Sequence, residues 1–179
     1  RSENESRKKT ASFSSYSIEI TKLFYPKFVG SKFNTYFCTA IIIYNNVMAK
    51  RDYIQTNKDW LKGKAQDEGV LSLDKGIYYK VIKGGKNDGV HPTPNSIVTV
   101  HYTGTTINGK KFDSSLGGAP VAFRLKTLIP GWVEAIQHMC IGDKWEVYIP
   151  AEMGYGRQNI PGIPGGSTLI FIIELFGIA

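Results

Sequence analysis

Three stretches in the second half of the chain alternate apolar and polar side chains with a period of two. That pattern is the strongest constraint on the fold. "SIVTVHYTG" (96–104) puts Val98, Val100 and Tyr102 on one face and Thr99, His101 and Thr103 on the other. "KWEVYIP" (144–150) aligns Trp145, Val147 and Ile149, and "TLIFIIELF" (168–176) aligns Leu169, Phe171, Ile173 and Leu175. Such segments form strands with one buried face. The buried face needs a cover. Only "PGWVEAIQHM" (130–139) in this half has helical spacing, with Trp132, Ile136 and Met139 at i, i+4 and i+7. Pro130 is tolerated in a first helical turn. The pattern predicts an α+β domain: an antiparallel sheet with one short helix as its lid.

Shorter elements complete the sheet. "GIYYKVIK" (76–83) reads as a first strand and "PVAFRL" (120–125) as another. Asn108-Gly109 predicts a primed hairpin turn returning into "KKFDSS". Residues 84–95 and 150–167 are rich in Gly and Pro and read as loops. Upstream, a helix is expected from about Asp52 to Gln66, with Ile54, Lys58 and Leu61 on one face and Gly69 ending it.

Residues 1–47 differ in character. They are rich in Ser, Lys, Asn, Tyr, Phe and Ile, and "CTAIIIYNN" is apolar without a sustained period. Met48 opens "MAKRDYIQTNKDW", which reads as a natural start, so 1–47 is expected to be an upstream extension of uncertain order. The expected organisation is extension 1–47, helical lead-in 48–75 and main domain 76–179. Arg7, Lys8 and Lys9 resemble the basic start of a secretory signal, but no apolar core follows at the right distance. Asn4-Glu5-Ser6 fits a glycosylation sequon of a kind that arises by chance.

Several function classes are disfavoured. No apolar run is long enough to predict a membrane-spanning helix. Cys38 and Cys140 lie far apart, with neither metal-ligand spacing nor a disulfide framework. No HExxH, GxSxG or P-loop is present, and "GYGRQN" lacks the third glycine of a dinucleotide fingerprint. The net charge is +7, of which +4 falls in residues 1–47, with seven Lys/Arg against three Asp/Glu. The main domain carries no basic stripe interleaved with aromatics, so no nucleic-acid partner is expected there.

Asp113, directly after Phe112, is the one carboxylate that invites a catalytic reading. No second carboxylate stands at a useful spacing, and Glu134 is expected on the outer face of the short helix. Tyr102, Phe112, Phe123, Trp132, Tyr155 and Phe171 can all point at one space. From the residues alone these rings fit a solid core as well as a pocket. Two features favour a pocket: two tyrosine hydroxyls need partners if buried, and a short helix cannot cover the whole sheet face.

"VTVHYTG", "GKKFDSS", "IPGWVEAIQHM" with "IGDKWEVYIP", and "GYG" with "IPGGSTLIFIIELF" resemble the FKBP-type peptidyl-prolyl cis-trans isomerases. "DWLKGKAQDEGVLSLDKGIYYKVI" is similar to the lead-in of the bacterial Mip-like branch. The resemblance spans about residues 57–178. It implies a twisted antiparallel sheet wrapped around one helix, and rotation about X–Pro bonds in protein substrates without metal or cofactor. It implies a catalytic set of Tyr102, Asp113 and Tyr155, with the Asp113 carboxylate bonding the Tyr102 hydroxyl and moving no proton. Trp132 would be the pocket floor; Phe112, Phe123 and Phe171 its walls; Leu128 and Ile129 its rim; and Ile163 the residue closing over proline. Val121 stands where some members carry an aromatic wall, and Pro164-Gly165 where Pro-Pro is usual. The implied partners are proline-containing polypeptides and macrolide inhibitors. Lacking a recognisable long helical arm and a clean signal, the chain is expected to be a cytoplasmic monomer, periplasmic if a signal precedes it. A pocket that binds proline peptides with little turnover, and a nucleic-acid adaptor working through the basic extension, are the competing readings.

Overall fold

The structure, a computed structural model, describes residues 33–86 and 88–179. The Asn4 sequon and the basic run Arg7–Lys9 lie outside the described residues. The sheet is organised about two ten-residue strands, β3 (Ile97–Thr106) and β7 (Leu169–Ile178), paired antiparallel from Val98↔Ile178 to Thr106↔Leu169. On the far side of β7 lies β6 (Lys144–Ile149), then β2 (Tyr78–Lys83), then the three-residue β1 (Val70–Ser72). On the far side of β3, β4 (Lys111–Ser114) pairs one end and β5 (Val121–Arg124) the other. All pairings are antiparallel.

The alternating residues turn inward as the period requires. Val98, Val100, Val147, Ile149, Leu169, Ile173 and Leu175 are fully buried. Across them lies α2 (Pro130–Ile136), which buries Gly131, Trp132, Ala135 and Ile136. Pro130 supplies a preset φ at the helix start, where its missing N–H would have had no intrahelical acceptor. Each fully buried Leu, Ile or Met here stabilises by about 1.5–3 kcal/mol. The helix sits so low that a Cβ on Gly131 would run into the Ile149 side chain. Met139 is buried just beyond the helix end, so the stripe continues into a turn. Glu134 faces outward and pairs with Lys75 at 2.9 Å. The Lys75 ammonium, through that bond, holds the Glu134 carboxyl below the usual carboxylate range. The exposed pair contributes little at neutral pH, and that contribution fades as acid protonates Glu134.

The β3–β4 connection departs from the expected primed two-residue turn. Residues 107–110 form it, and Gly109 alone takes a positive φ, +77°. The Asn108 side chain accepts from the Thr106 hydroxyl and from the Lys110 N–H, which keeps Asn108 out of the left-handed region.

The larger difference is α1, a helix of 32 residues, Phe33–Lys64, far longer than the expected 52–66 segment. It includes the "CTAIIIYNN" run. Ile41, Ile42, Ile43 and Tyr44 are all exposed, so the apolar residues circle the helix and leave no stripe to read. A long helix therefore exists where the sequence reading saw no helical arm, and the ground for expecting a monomer is removed. Residues 48–179 form one compact unit, and the described part of the other unit, 33–47, is helical. Within the first, the buried face of α1 runs through Asn57 and Leu61, whereas Lys58 is exposed and 3.7 Å from Glu152. Among the described residues no helix is long and apolar enough to cross a membrane.

Gly131→Ala is expected to destabilise the domain by about 1–3 kcal/mol through overpacking against Ile149, read as a lowered urea midpoint with an unchanged m-value.

Candidate active site

Trp132, only 4% exposed, is set on the inward face of α2 at the centre of the aromatic residues. Tyr102 (β3), Phe171 (β7) and Phe123 (β5) meet its ring edge-to-face, at centroid distances of 5.1, 5.2 and 6.2 Å and interplanar angles of 85°, 90° and 90°. Phe112 (β4) stands against Phe171 at 5.5 Å and 84°. These rings wall a hollow. The result is an open cavity of about 280 Å³, near the small end of ligand pockets. Tyr102, Phe112, Asp113, Phe123, Leu128, Ile129, Trp132, Tyr155, Ile163 and Phe171 all line it. Val121 does not, although it shares a strand face with Phe123.

The rings approach closely because position 104 has no side chain. A Cβ on Gly104 would lie 2.6 Å from the Phe112 ring and 2.7 Å from Phe171. An interior strand glycine signals such an approach, and the sequence reading passed over it. It also passed over Ile160 and Pro161, which line the cavity beside Ile163. These three belong to a loop folded on itself: Ile160 and Ile163 exchange backbone bonds of 3.0 and 2.8 Å around Pro161-Gly162. Proline followed by a glycine at φ +82° suits that tight turn.

The polar groups gather at the rim. The Tyr102 hydroxyl donates to Asp113 Oδ2 at 2.8 Å, and Asp113 Oδ1 accepts the Ser114 N–H at 2.8 Å. Burial, followed by the bond to Asp113, pushes the Tyr102 hydroxyl up to about 12. Tyr102 is therefore a neutral donor at physiological pH, and Asp113 serves as its acceptor. The Ile129 carbonyl accepts from the Trp132 and Val133 amides. The Ile129 N–H and the Tyr155 hydroxyl have no hydrogen-bond partner among the described residues. Two donors thus stand unspent at the mouth of an apolar hollow.

Residue 165 has a specific structural consequence. The Gly165 N–H donates to Asn159 Oδ1 at 2.7 Å, a bond that proline could not make. A Cβ there would also collide with the Arg157 carbonyl. Elsewhere, Asp143 is buried with both carboxylate oxygens used, by the Gly85 and Cys140 amides at 2.6 and 2.7 Å. It is a structural clamp. Among the described residues no cluster of three His, Cys, Asp or Glu could hold a metal ion.

Comparison with known proteins identifies the family of the chain. A family model described as FKBP-type peptidyl-prolyl cis-trans isomerase matches residues 89–176. A solved peptidyl-prolyl cis-trans isomerase of Pseudomonas syringae superposes with a TM-score of 0.67 at 32% identity, over 72% of this chain and 95% of that one. The chain belongs to the FKBP-type peptidyl-prolyl cis-trans isomerase family. Its relatives include the FKBP-type peptidyl-prolyl cis-trans isomerase FkpA of Aeromonas hydrophila, 40% identical over 73% of this chain and 49% of the relative. Another is the outer membrane protein MIP of Legionella longbeachae, 39% identical over 74% of this chain and 61% of the relative. The chain spans about half the length of the curated relatives it matches first. The name of the Legionella relative leaves the expected cytoplasmic location without support.

In a tyrosine ring-carbon NMR titration, Tyr102 is expected to ionise near 12. Asp113→Asn should move it down without reaching the ordinary value of 10, because burial remains the larger cause. The raised value favours the fold fully below pH 10, and the gain is lost as pH rises toward about 12.

Proposed function

We propose that this protein catalyses cis-trans isomerisation of X–Pro bonds in flexible polypeptides, using the Trp132 cavity and no proton transfer. The observation that carries the reading is a hollow walled by perpendicular aromatic rings, with two unpaired donors at its mouth and a lone carboxylate already engaged by Tyr102.

Rotation about an amide faces a barrier of about 18–20 kcal/mol because resonance is broken. The two X–Pro isomers differ by only about 0.5–1 kcal/mol, so both are populated yet exchange slowly. A planar imide separates charge between oxygen and nitrogen more than a twisted one does. Aromatic walls that exclude water therefore raise the energy of the planar form more than that of the twisted form, which is differential stabilisation of the transition state. A lowering of about 6 kcal/mol corresponds to roughly 10⁴-fold acceleration. In this reading Trp132 is the floor under the prolyl ring. Phe112, Phe123 and Phe171 are walls, Leu128 and Ile129 form the rim, and Ile163 closes from the loop side. The Ile129 N–H and the Tyr155 hydroxyl hold the flanking substrate carbonyls. Tyr102 and Asp113 fix each other and shape the wall. A macrolide able to fill the cavity competes with substrate. The relative named an outer membrane protein supports placing this chain outside the cytoplasm as well; fractionation of its source cell checks that.

The test is isomerisation of short X–Pro peptides by the purified chain, with and without such a macrolide. Tyr155→Phe is expected to lower kcat/KM several-fold, matching a lost hydrogen bond of about 0.5–1.5 kcal/mol, with the fold intact. Asp113→Ala is expected to lower it about tenfold or more, matching about 1.5–3 kcal/mol for a bond to a charged group, without abolishing it. Complete loss in a folded Asp113→Ala protein points to acid–base chemistry and overturns the reading.

A further inference from the structure

We propose that Asn57, with Tyr53 and Ile54, acts as a positioning residue for the substrate cavity by holding the base of the loop that forms its Ile163 wall. The inference rests on the isomerase reading for its kinetic consequence and on geometry for the coupling itself.

Three consecutive loop residues are each held by one side chain from α1. At Thr168, Asn57 Oδ1 accepts the backbone N–H at 2.8 Å, and the Asn57 carbonyl accepts the threonine hydroxyl at 3.2 Å. At Ser167, the hydroxyl bonds the Tyr53 hydroxyl at 2.8 Å and donates to the Pro164 carbonyl at 2.6 Å. At Gly166, the Ile54 side chain packs so closely that a Cβ would collide with it. Asn57 is 1% exposed, and its Nδ2 donates to the Tyr53 carbonyl at 2.9 Å, so the buried amide is bonded at both ends. Asn57 lies four residues after Tyr53 and three after Ile54, the two spacings that put side chains side by side on a helix, which explains how one helical turn reaches three successive residues.

The held segment leads directly into the cavity wall. The Gly166 N–H donates to the Gly156 carbonyl at 2.7 Å, next to Tyr155. The Gly165 N–H donates to Asn159, which flanks Ile160. In the other direction Thr168 is followed by β7, which carries Phe171 into the cavity three residues after Thr168. Releasing Asn57 leaves the Thr168 N–H buried and unbonded, and frees the segment from which the Ile160–Ile163 turn projects. A helix that contributes no residue to the cavity lining thereby sets where Ile163 stands. Buried asparagine on a helix is a demanding choice unless both ends of its amide find partners; here the partners are the loop base and the helix itself.

The test uses the full chain with Asn57→Ala, Tyr53→Phe and, as a control, Trp60→Leu, which loosens the same helix against Tyr148 on β6 instead. Amide hydrogen exchange at Ile160 and Ile163 is expected to quicken by about tenfold or more in Asn57→Ala, and by less in Tyr53→Phe, with Ser115, whose amide bonds the Tyr102 carbonyl just past β4, unchanged. Trp60→Leu should leave both loop amides as they are. KM for an X–Pro peptide is expected to rise by about fivefold in Asn57→Ala with kcat little changed. Exchange that quickens uniformly across the sheet, or loop amides that do not respond, overturns the coupling. If Asn57→Ala does not fold, the Tyr53→Phe exchange pattern decides. If the unmodified chain turns over no X–Pro peptide, the isomerase reading fails while the exchange pattern still decides the coupling.

Discussion

The seat of the Trp132 indole governs this structure. Three rings from three different strands meet it edge-on, so the helix cannot slide without disturbing Tyr102, Phe123 and Phe171 together. Edge-to-face packing satisfies the ring quadrupoles and adds about 0.5–1.5 kcal/mol per pair beyond area burial. The same four rings, with Phe112, also wall the cavity. Gly104 and Gly131 act in support. One lets Phe112 and Phe171 close over β3, and the other lets α2 settle onto Ile149.

Much of this was legible in the sequence because strand alternation is a short-range signal. Val98, Val100 and Tyr102, or Leu169 through Leu175, face one way whatever the tertiary context. The helical period of the second half, at Trp132 and Ile136, was likewise unambiguous. Three things were not legible, each for a physical reason. The first half of α1 carries exposed Ile41, Ile42 and Ile43 with no stripe, so periodicity had nothing to register. The buried face of α1 turns on Asn57, a polar residue that a hydrophobic pattern does not register. The Ile160-Pro161 wall depends on a loop closing on itself, and loop closure leaves no period. The rings themselves were visible, but whether they made a core or a hollow depended on how they pack in three dimensions, which composition does not encode.

The site contains two kinds of order. The aromatic walls come from strands and a helix, and their positions follow from sheet register. The loop wall is held by local hydrogen bonds, by Asn159 within the loop and by α1 at its base. Glycine at 165, where the family usually has proline, exchanges a preset φ for the Gly165–Asn159 bond. The loop is then stiffened by bonding instead of by ring constraint. In the proposed reaction, the first kind of order supplies the dry surroundings in which the twisted imide is favoured. The second decides how well the prolyl ring is gripped.

The central claim is that the cavity speeds rotation of the prolyl bond by environment alone. The solvent deuterium isotope effect on kcat/KM for an X–Pro peptide, measured in the pH plateau, addresses it most directly. A ratio near unity is predicted, since no proton moves as the bond turns. A ratio of about two or more would mean proton transfer in the limiting step, and would contradict the account.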